Sequence, residues 1–333
     1  MSNQSLKQIA DQLRRSDEYR VIQKYQKPTG YNVDSNDNPS TNISNRNKLI
    51  GVFLDIETTG LLYSNDKLIE LGIVKFEYTE DGRIFNLLEE FSSYQEPNIP
   101  IPQHITKLTG ITDDMVKGHS IDESAVSEYL KDVDIIIAHN AQFDRAFFET
   151  TFPNITPKAW ACSMQDINWK DEDISSFKLE YIAYRYDFFY EGHRAIIDCL
   201  AGIHILAQKL LISEVPVLKR LLDNAMQLEF KLWAKNAPYD CKDLLKTRSY
   251  RWGIHPINNY KSWYIKIPES RVEEEINYLR SDIYKNNLDI PVEVEIFDSF
   301  SKYSVHNQQS KYPNKVDSLP PEGGSSSLRL EAD

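Results

Sequence analysis

Residues 51–60 read GVFLDIETTG, a run of apolar side chains that ends in Asp55 and Glu57, followed at once by Thr58, Thr59 and Gly60. A β-strand alternates its side chains between faces, so these two acids point the same way. Two like charges at ~4 Å and an effective dielectric of ~20 repel by roughly 4 kcal/mol, a large share of a domain's stability. A divalent cation is the usual remedy where all the donors are oxygens. A strand end capped by two acids beside a polar turn is the plainer reading of this stretch alone.

Outward from that strand the chain alternates in character. LIGVFLDIE, DKLIELGIVKFEY and RIFNLLEEF have strand length, with Asp81-Gly82 as a hairpin signal between the last two. Thr112 followed by acids reads as a helix N-cap, with a helix near Glu123 to Lys131. DIIIAHN is a short apolar strand running into helical spacing from Ala141 to Thr151, and further helices are expected over Lys178 to Arg185 and His193 to Leu211. Hairpin strands followed by alternating strand and helix imply an α/β architecture with a mixed sheet.

Two more acids sit where strands give way to helices. Asp144 falls in the first turn after His139-Asn140, and GHRAIID places His193 at the mouth of a helix with Asp198 within its first turns. Each alone reads equally as a helix-terminal acid favoured by the dipole, or as an ordinary loop histidine. Together Asp55, Glu57, Asp144 and Asp198 supply the oxygen ligands for two Mg²⁺ or Mn²⁺ ions ~3.5–4 Å apart, and His193 is of the residue type that suits a water-activating base.

DIETTG, HNAQFD and HRAIID, in that order, resemble the three motifs of the DEDDh group of 3′-to-5′ exonucleases, the DnaQ-like family, and PIPQHITKLTGIT is similar to the segment between its first two motifs. The resemblance covers about residues 48–212. It implies a ribonuclease H-like mixed sheet flanked by helices, two divalent cations on the four acids, His193 as general base, and 5′-mononucleotide products. It also implies that Thr58 and Leu61 meet the 3′-terminal nucleotide, with His139 and Asn140 beside the substrate. DQLRRSDEYRVIQKY, WACSMQDINW and APYDCKDLLKTRSYRWG further resemble a bacterial subgroup with an extra C-terminal domain.

The remaining features bound the class. At 333 residues, two domains are expected. Cys162, Cys199 and Cys241 are odd in number and far apart, which argues against a disulfide framework or a zinc site and fits a reducing cytoplasm. The first twenty residues lack an apolar core of a signal peptide, and no run approaches a membrane span. Asn42 and Asn154 match the glycosylation pattern, which has little meaning in a cytoplasmic chain. The net charge of −12 sits awkwardly with nucleic acid, although ions bound to clustered acids would offset part of it.

The expected organisation is an N-terminal helix near 5–15 that packs on a larger body, then polar linker to residue 47. An exonuclease domain over 48–212 follows, bounded near Pro216, then a small α+β domain over 213–305 and a disordered tail over 306–333. Residues 230–267 of the small domain carry eight basic residues against Asp240 and Asp243, interleaved with aromatics including Trp233, Trp252 and Trp263. That composition suits single-stranded nucleic acid, and equally an aromatic core with a solvated basic face. The expected activity is trimming of DNA 3′ ends in repair or proofreading, with a replication or repair protein as possible partner and no membrane. RNA as substrate, or end-binding without turnover, are the alternatives.

Overall fold

The computed structural model describes residues 3–31, 48–285 and 290–306. Packing divides them into two units: the described residues up to Gln227 together with 298–306, and residues 228–297.

The first unit runs α1 (Asn3–Leu13), β1 (Gln23–Lys24), β2 (Leu49–Thr58), β3 (Leu68–Tyr78), β4 (Ile84–Tyr94), α2 (Gln103–Thr109), α3 (Asp113–Val116), α4 (Glu123–Leu130), β5 (Ile135–Ala138), α5 (Ala141–Thr151), β6 (Ala159–Cys162), α6 (Leu179–Arg185), β7 (Phe188–Phe189), α7 (Ala195–Leu206) and α8 (Val217–Ala225). Five strands form one sheet in the order β4-β3-β2-β5-β6. The β4-β3-β2 half is antiparallel, and β5 and β6 add in parallel. This is the ribonuclease H-like mixed sheet flanked by helices. The expected cap at Thr112 forms, accepting from the Met115 amide, and Asp122 caps the next helix by accepting from the Ser124 amide.

Both sheet faces are covered, which explains why β2 and β3 read as nearly continuous apolar runs. Val52, Leu54 and Ile56 pack with Leu130, Phe147 and Phe148 of α4 and α5. Phe53 points the other way, toward Ile203 of α7 and Leu218 and Leu221 of α8. Asp55 and Glu57 continue the Phe53 face.

Three organisational expectations change. Leu6 and Ile9 of α1 are exposed, so these positions do not make the packing expected of them. What holds the N-terminal segment is the stretch after the helix, read from sequence as linker beyond Tyr25. Gln23 and Lys24 pair with Phe188 and Phe189, Arg20 donates to Asp187 and to the Tyr184 and Arg185 carbonyls, and Tyr31 enters the core. The chain also does not leave the first unit at Pro216. Pro216 opens α8, a position its fixed φ suits, and Val217, Leu218, Leu221, Leu222 and Ala225 are buried. At ~1.5–3 kcal/mol for each large aliphatic side chain, that burial ties α8 to the core of the first unit. Finally, residues 298–306 return to the first unit, where Arg145 donates to the Phe300 and Lys302 carbonyls and the Trp160 amide to the Ser299 carbonyl. The tail from 307 lies outside the described residues.

The second unit holds β8 (Glu229–Ala234), α9 (Lys242–Thr247), β9 (Arg251–Ile254), β10 (Lys261–Pro268), α10 (Val272–Tyr278) and β11 (Val292–Phe297). Its antiparallel sheet has the order β11-β8-β10-β9, and Phe230, Leu232, Ile265, Ile267, Leu245 and Ile276 form its core. It is the small α+β domain expected. No helix among the described residues is long and apolar enough to cross a membrane.

Candidate active site

The end of β2, its neighbour β3 and the first turns of α7 build the site. Asp55 lies opposite Gly72 of β3, and Glu57 opposite Glu70. Gly72 lets α7 approach: a Cβ there would stand 2.6 Å from the Ala195 carbonyl carbon and 2.7 Å from the Ile196 nitrogen. Those are backbone atoms that cannot swing aside, so a larger residue would lift the helix from the sheet. With α7 flush on the strands, Asp55, Glu57 and Asp198 offer carboxylate oxygens within 4.8 Å of one another. Asp144, buried in the first turn of α5, stands outside that triplet but adds to the field at Asp55 and Glu57.

The electrostatics follow from this crowding. Burial, then the charges of Asp198, Asp144, Glu57 and Glu70, hold the Asp55 carboxyl well above its ordinary range. Glu57 is pushed up to about 8 by burial and then by Asp198, Glu70 and Asp144, with Arg194 pulling the other way. Burial lifts Asp144 to about 8 against backbone hydrogen bonds from its own segment and Ile56. Burial lifts Asp198 to about 6, opposed by Tyr190 Oη, which donates to Oδ1 at 3.0 Å, and by the Arg194 amide, which donates to Oδ2 at 3.1 Å. Four carboxyls that resist ionisation together are a donor set in need of positive charge, and oxygen donors suit hard divalent cations. The residues therefore fit Mg²⁺ or Mn²⁺.

His193 sits at the rim, with a left-handed φ of 65°, uncommon for a residue with a side chain, and with Nε2 3.5 Å from Glu180 Oε1 of α6. Its ring is 44% exposed, open enough to meet a substrate and its water. The other expected residues divide. Thr58 is buried and donates to the Gly60 carbonyl at 2.5 Å, whereas Leu61 is 81% exposed on the turn that follows. Asn140 is exposed at the start of α5, its side chain making no capping bond. Both nitrogens of His139 are engaged, Nδ1 with Ser163 Oγ at 2.9 Å and Nε2 with the Phe177 carbonyl at 2.6 Å. Nε2 must carry the proton to serve that carbonyl, so Nδ1 accepts and the ring is neutral, in keeping with burial that lowers it to about 4.

Residues 52–206 match the RNase_T exonuclease family. These residues carry an exonuclease domain similar to that family. Relatives similar to the domain are named DNA polymerase III PolC-type: that of Clostridium perfringens is 33% identical over 161 residues, covering 46% of this chain and 11% of the relative. That of Caldanaerobacter subterraneus subsp. tengcongensis is 29% identical over 197 residues, covering 56% of this chain and 13% of the relative. The chain thus spans only a small part of these much longer relatives. Among solved structures, exonuclease X in complex with 5′-overhanging duplex DNA is 22% identical, with a TM-score of 0.35, covering 46% of this chain and 86% of that one. A structure of exonuclease I is 16% identical with a TM-score of 0.44, covering 76% and 63%.

Several residues of this candidate site are not singled out by the sequence. Tyr190 and Glu70 both serve it, and Arg194 is the cation that acts on Glu57. The signal for Glu70 was present: a carboxylate in the middle of an apolar strand, LIELGIV, that proves 1% exposed.

In the second unit the basic stretch is largely neutralised from within. Lys231 pairs with Glu295, Lys235 with Glu293, Arg248 with Glu274 and Glu275, and Lys266 with Glu229. Trp233 and Tyr250 are buried. Exposed in this stretch are Trp252 and Ile254 of β9, each 57% exposed, with Arg251 and Lys261, and also Tyr239, Leu244 and Lys246 around α9. Trp252 pairs across the strands with Trp263, their rings 5.4 Å apart, and Ile254 pairs with Lys261.

Proposed function

We propose that this chain is a divalent-metal-dependent 3′-to-5′ exonuclease that trims DNA ends and releases 5′-mononucleotides. The observation that carries the reading is the convergence of Asp55, Glu57 and Asp198 within 4.8 Å, with Asp144 in their field and His193 at their rim. Asp55, Glu57, Asp144 and Asp198 would hold two Mg²⁺ or Mn²⁺ ions, which supply electrostatic stabilisation of the charge that develops at phosphorus during an in-line displacement.

The chain's own residues do the rest. His193 takes the proton of the attacking water as its oxygen bonds to phosphorus. The bond to the 3′ oxygen of the preceding nucleotide breaks, and solvent protonates that oxygen. Once charged, the imidazolium finds Glu180 Oε1 3.5 Å away, a partner for the protonated state. Leu61 offers an apolar surface to the terminal base, while Thr58 shapes the turn that presents it; Asn140 and His139 border the same mouth.

The relatives named as DNA polymerase III support DNA as the substrate and a replication or repair protein as the partner. In the second unit, Trp252, Trp263 and Lys261 share one face of β9 and β10, the surface along which a single strand would run, bases on the rings and phosphate on the cation.

The test is digestion of matched 5′-labelled single-stranded DNA and RNA in Mg²⁺, Mn²⁺ and EDTA, with His193→Ala alongside. The expected result is a metal-dependent DNA ladder shortening from the 3′ end, reduced about 10²- to 10⁴-fold in the variant with metal binding kept. A ladder on RNA alone would reassign the substrate. Retention of oligonucleotide in EDTA without mononucleotide release in Mg²⁺ would make the protein an end-binding scaffold.

A further inference from the structure

Glu70 is a carboxylate on the central antiparallel strand, 1% exposed, and it lies outside the triplet that gathers the candidate metal ligands. Its neighbours across β3 are Glu57 on one side and Tyr94 on the other. Nothing about the strand requires an acid there, since Leu68, Ile69, Leu71, Ile73 and Val74 around it are all buried and apolar. The side-chain hydrogen bonds of Glu70 go to one place, the two residues that follow His193. Arg194 Nη2 donates to Oε1 at 2.9 Å and Nε lies 3.3 Å from both oxygens, while the Ala195 amide, the first of α7, donates to Oε2 at 3.1 Å. Arg194 Nη2 also donates to Tyr94 Oη at 2.7 Å.

We infer that Glu70, through Arg194 and the Ala195 amide, is the positioning residue that locks the turn carrying the general base. The inference rests on the reading of His193 as that base. His193 holds a positive φ, a conformation that surrounding contacts must enforce. The enforcing contacts fall on the two residues that follow it: the Arg194 amide is held by Asp198, and the Arg194 side chain and Ala195 amide by Glu70. The forked guanidinium matters, because only a planar pair of donors spans both oxygens of one carboxylate and still reaches Tyr94. Arg194 has a second effect, since its charge partly offsets the acids at Glu57. A rigid turn keeps the imidazole within reach of the water to be deprotonated, and an ~1 Å misplacement of such a group costs about 10²-fold in rate.

The experiment measures kcat, KM and Mg²⁺ dependence on a short 5′-labelled DNA for the full-length wild type, Glu70→Gln, His193→Ala and the double variant. Glu70→Gln keeps shape and one acceptor, and it is expected to lower kcat at saturating Mg²⁺ by about 10²-fold with KM unchanged. Because Glu70 acts through His193, the double variant should be no slower than His193→Ala alone, and Arg194→Lys should behave like Glu70→Gln. Should Glu70→Gln fail to fold, Tyr94→Phe removes only the outer bond to Arg194 and is expected to give a smaller loss of kcat that also vanishes in the His193→Ala background. Wild-type kcat in Glu70→Gln, or a loss that multiplies onto that of His193→Ala, would overturn the inference while leaving the exonuclease reading intact. An unimpaired His193→Ala would instead remove the base on which both stand.

Discussion

The two units of this protein treat buried charge in opposite ways. In the exonuclease unit, Asp55, Glu57, Asp144 and Asp198 crowd together and every one of them is lifted above its ordinary value. In the second unit the acids are just as enclosed, yet each meets a cation or a donor. Glu295 accepts from Trp233 Nε1 at 2.6 Å and lies 3.4 Å from Lys231, whose ammonium sits over the Trp233 and Tyr264 rings. Burial pushes Glu293 up, but Tyr260, His255 and Lys235 outweigh it and leave the carboxyl below its usual value. Charge that a fold balances serves the fold; charge left unbalanced in a cleft is reserved for a ligand.

The comparison makes predictions of opposite sign. Asp55→Asn should abolish turnover and yet raise the melting temperature of the metal-free protein, because it removes one of four mutually repelling carboxylates. The pH dependence follows by linkage. Glu57 and Asp144 hold their protons to about pH 8 and Asp198 to about 6 in the folded state, whereas the unfolded chain releases them near ordinary carboxylate values. The native state therefore binds more protons between those limits, and stability should fall as pH rises from about 4.5 to 8. Saturating Mg²⁺ should flatten that slope, with protons released on binding. Calorimetry in EDTA and in Mg²⁺ checks both; a metal-free melting temperature that rises with pH would break the electrostatic account.

Glu295→Ala should do the reverse. It leaves Lys231, 14% exposed, without its carboxylate and Trp233 Nε1 without an acceptor, and breaking a buried pair in this way costs about 3–5 kcal/mol. Hydrolysis of a dinucleotide should stay at the wild-type rate, because nothing in the Asp55, Glu57 and Asp198 cluster is touched. A dinucleotide rate that falls in step with stability would show that the units do not divide their labour as their charges suggest.

Much of the first unit was legible in sequence because its signals are local. Paired acids at the end of an apolar strand, a histidine five residues before an aspartate on a helix, and Asp-Gly between two strands each state their geometry within a few residues. What escaped was long-range. Tyr31 lies far from His204 in sequence, yet their rings stand 5.8 Å apart in the fold. Residues 298–306 return to Arg145 after an entire intervening domain, and no local pattern announces it. Glu70 carries the only charge in LIELGIV, but its purpose depends on Arg194, 124 residues later. The basic run over 230–267 misled in the same way: its partners Glu274, Glu275, Glu293 and Glu295 lie beyond it, so a stretch formally +6 by sequence becomes mostly neutral once folded.

That neutralisation sets the smallest expected effect. With the paired cations set aside, Trp252, Trp263 and Lys261 share one face of β9 and β10 as the proposed single-strand surface. Base stacking on an aromatic ring contributes ~1–3 kcal/mol, and one lost lysine removes about one phosphate contact. Trp252→Ala with Lys261→Ala should therefore weaken binding to a long oligothymidylate by about 10- to 100-fold in low salt, measured in EDTA so that no strand is consumed. The slope of log affinity against log salt should fall by about 0.7, the value for one contact to a single strand. Turnover of a dinucleotide should not change. Both tryptophans stand clear of the ion-paired face around Glu295, so an equal loss on long and short substrates would mark them as part of the small domain's structure, and intact binding to the long strand would leave Trp252 as an apolar edge awaiting a protein rather than a nucleic acid.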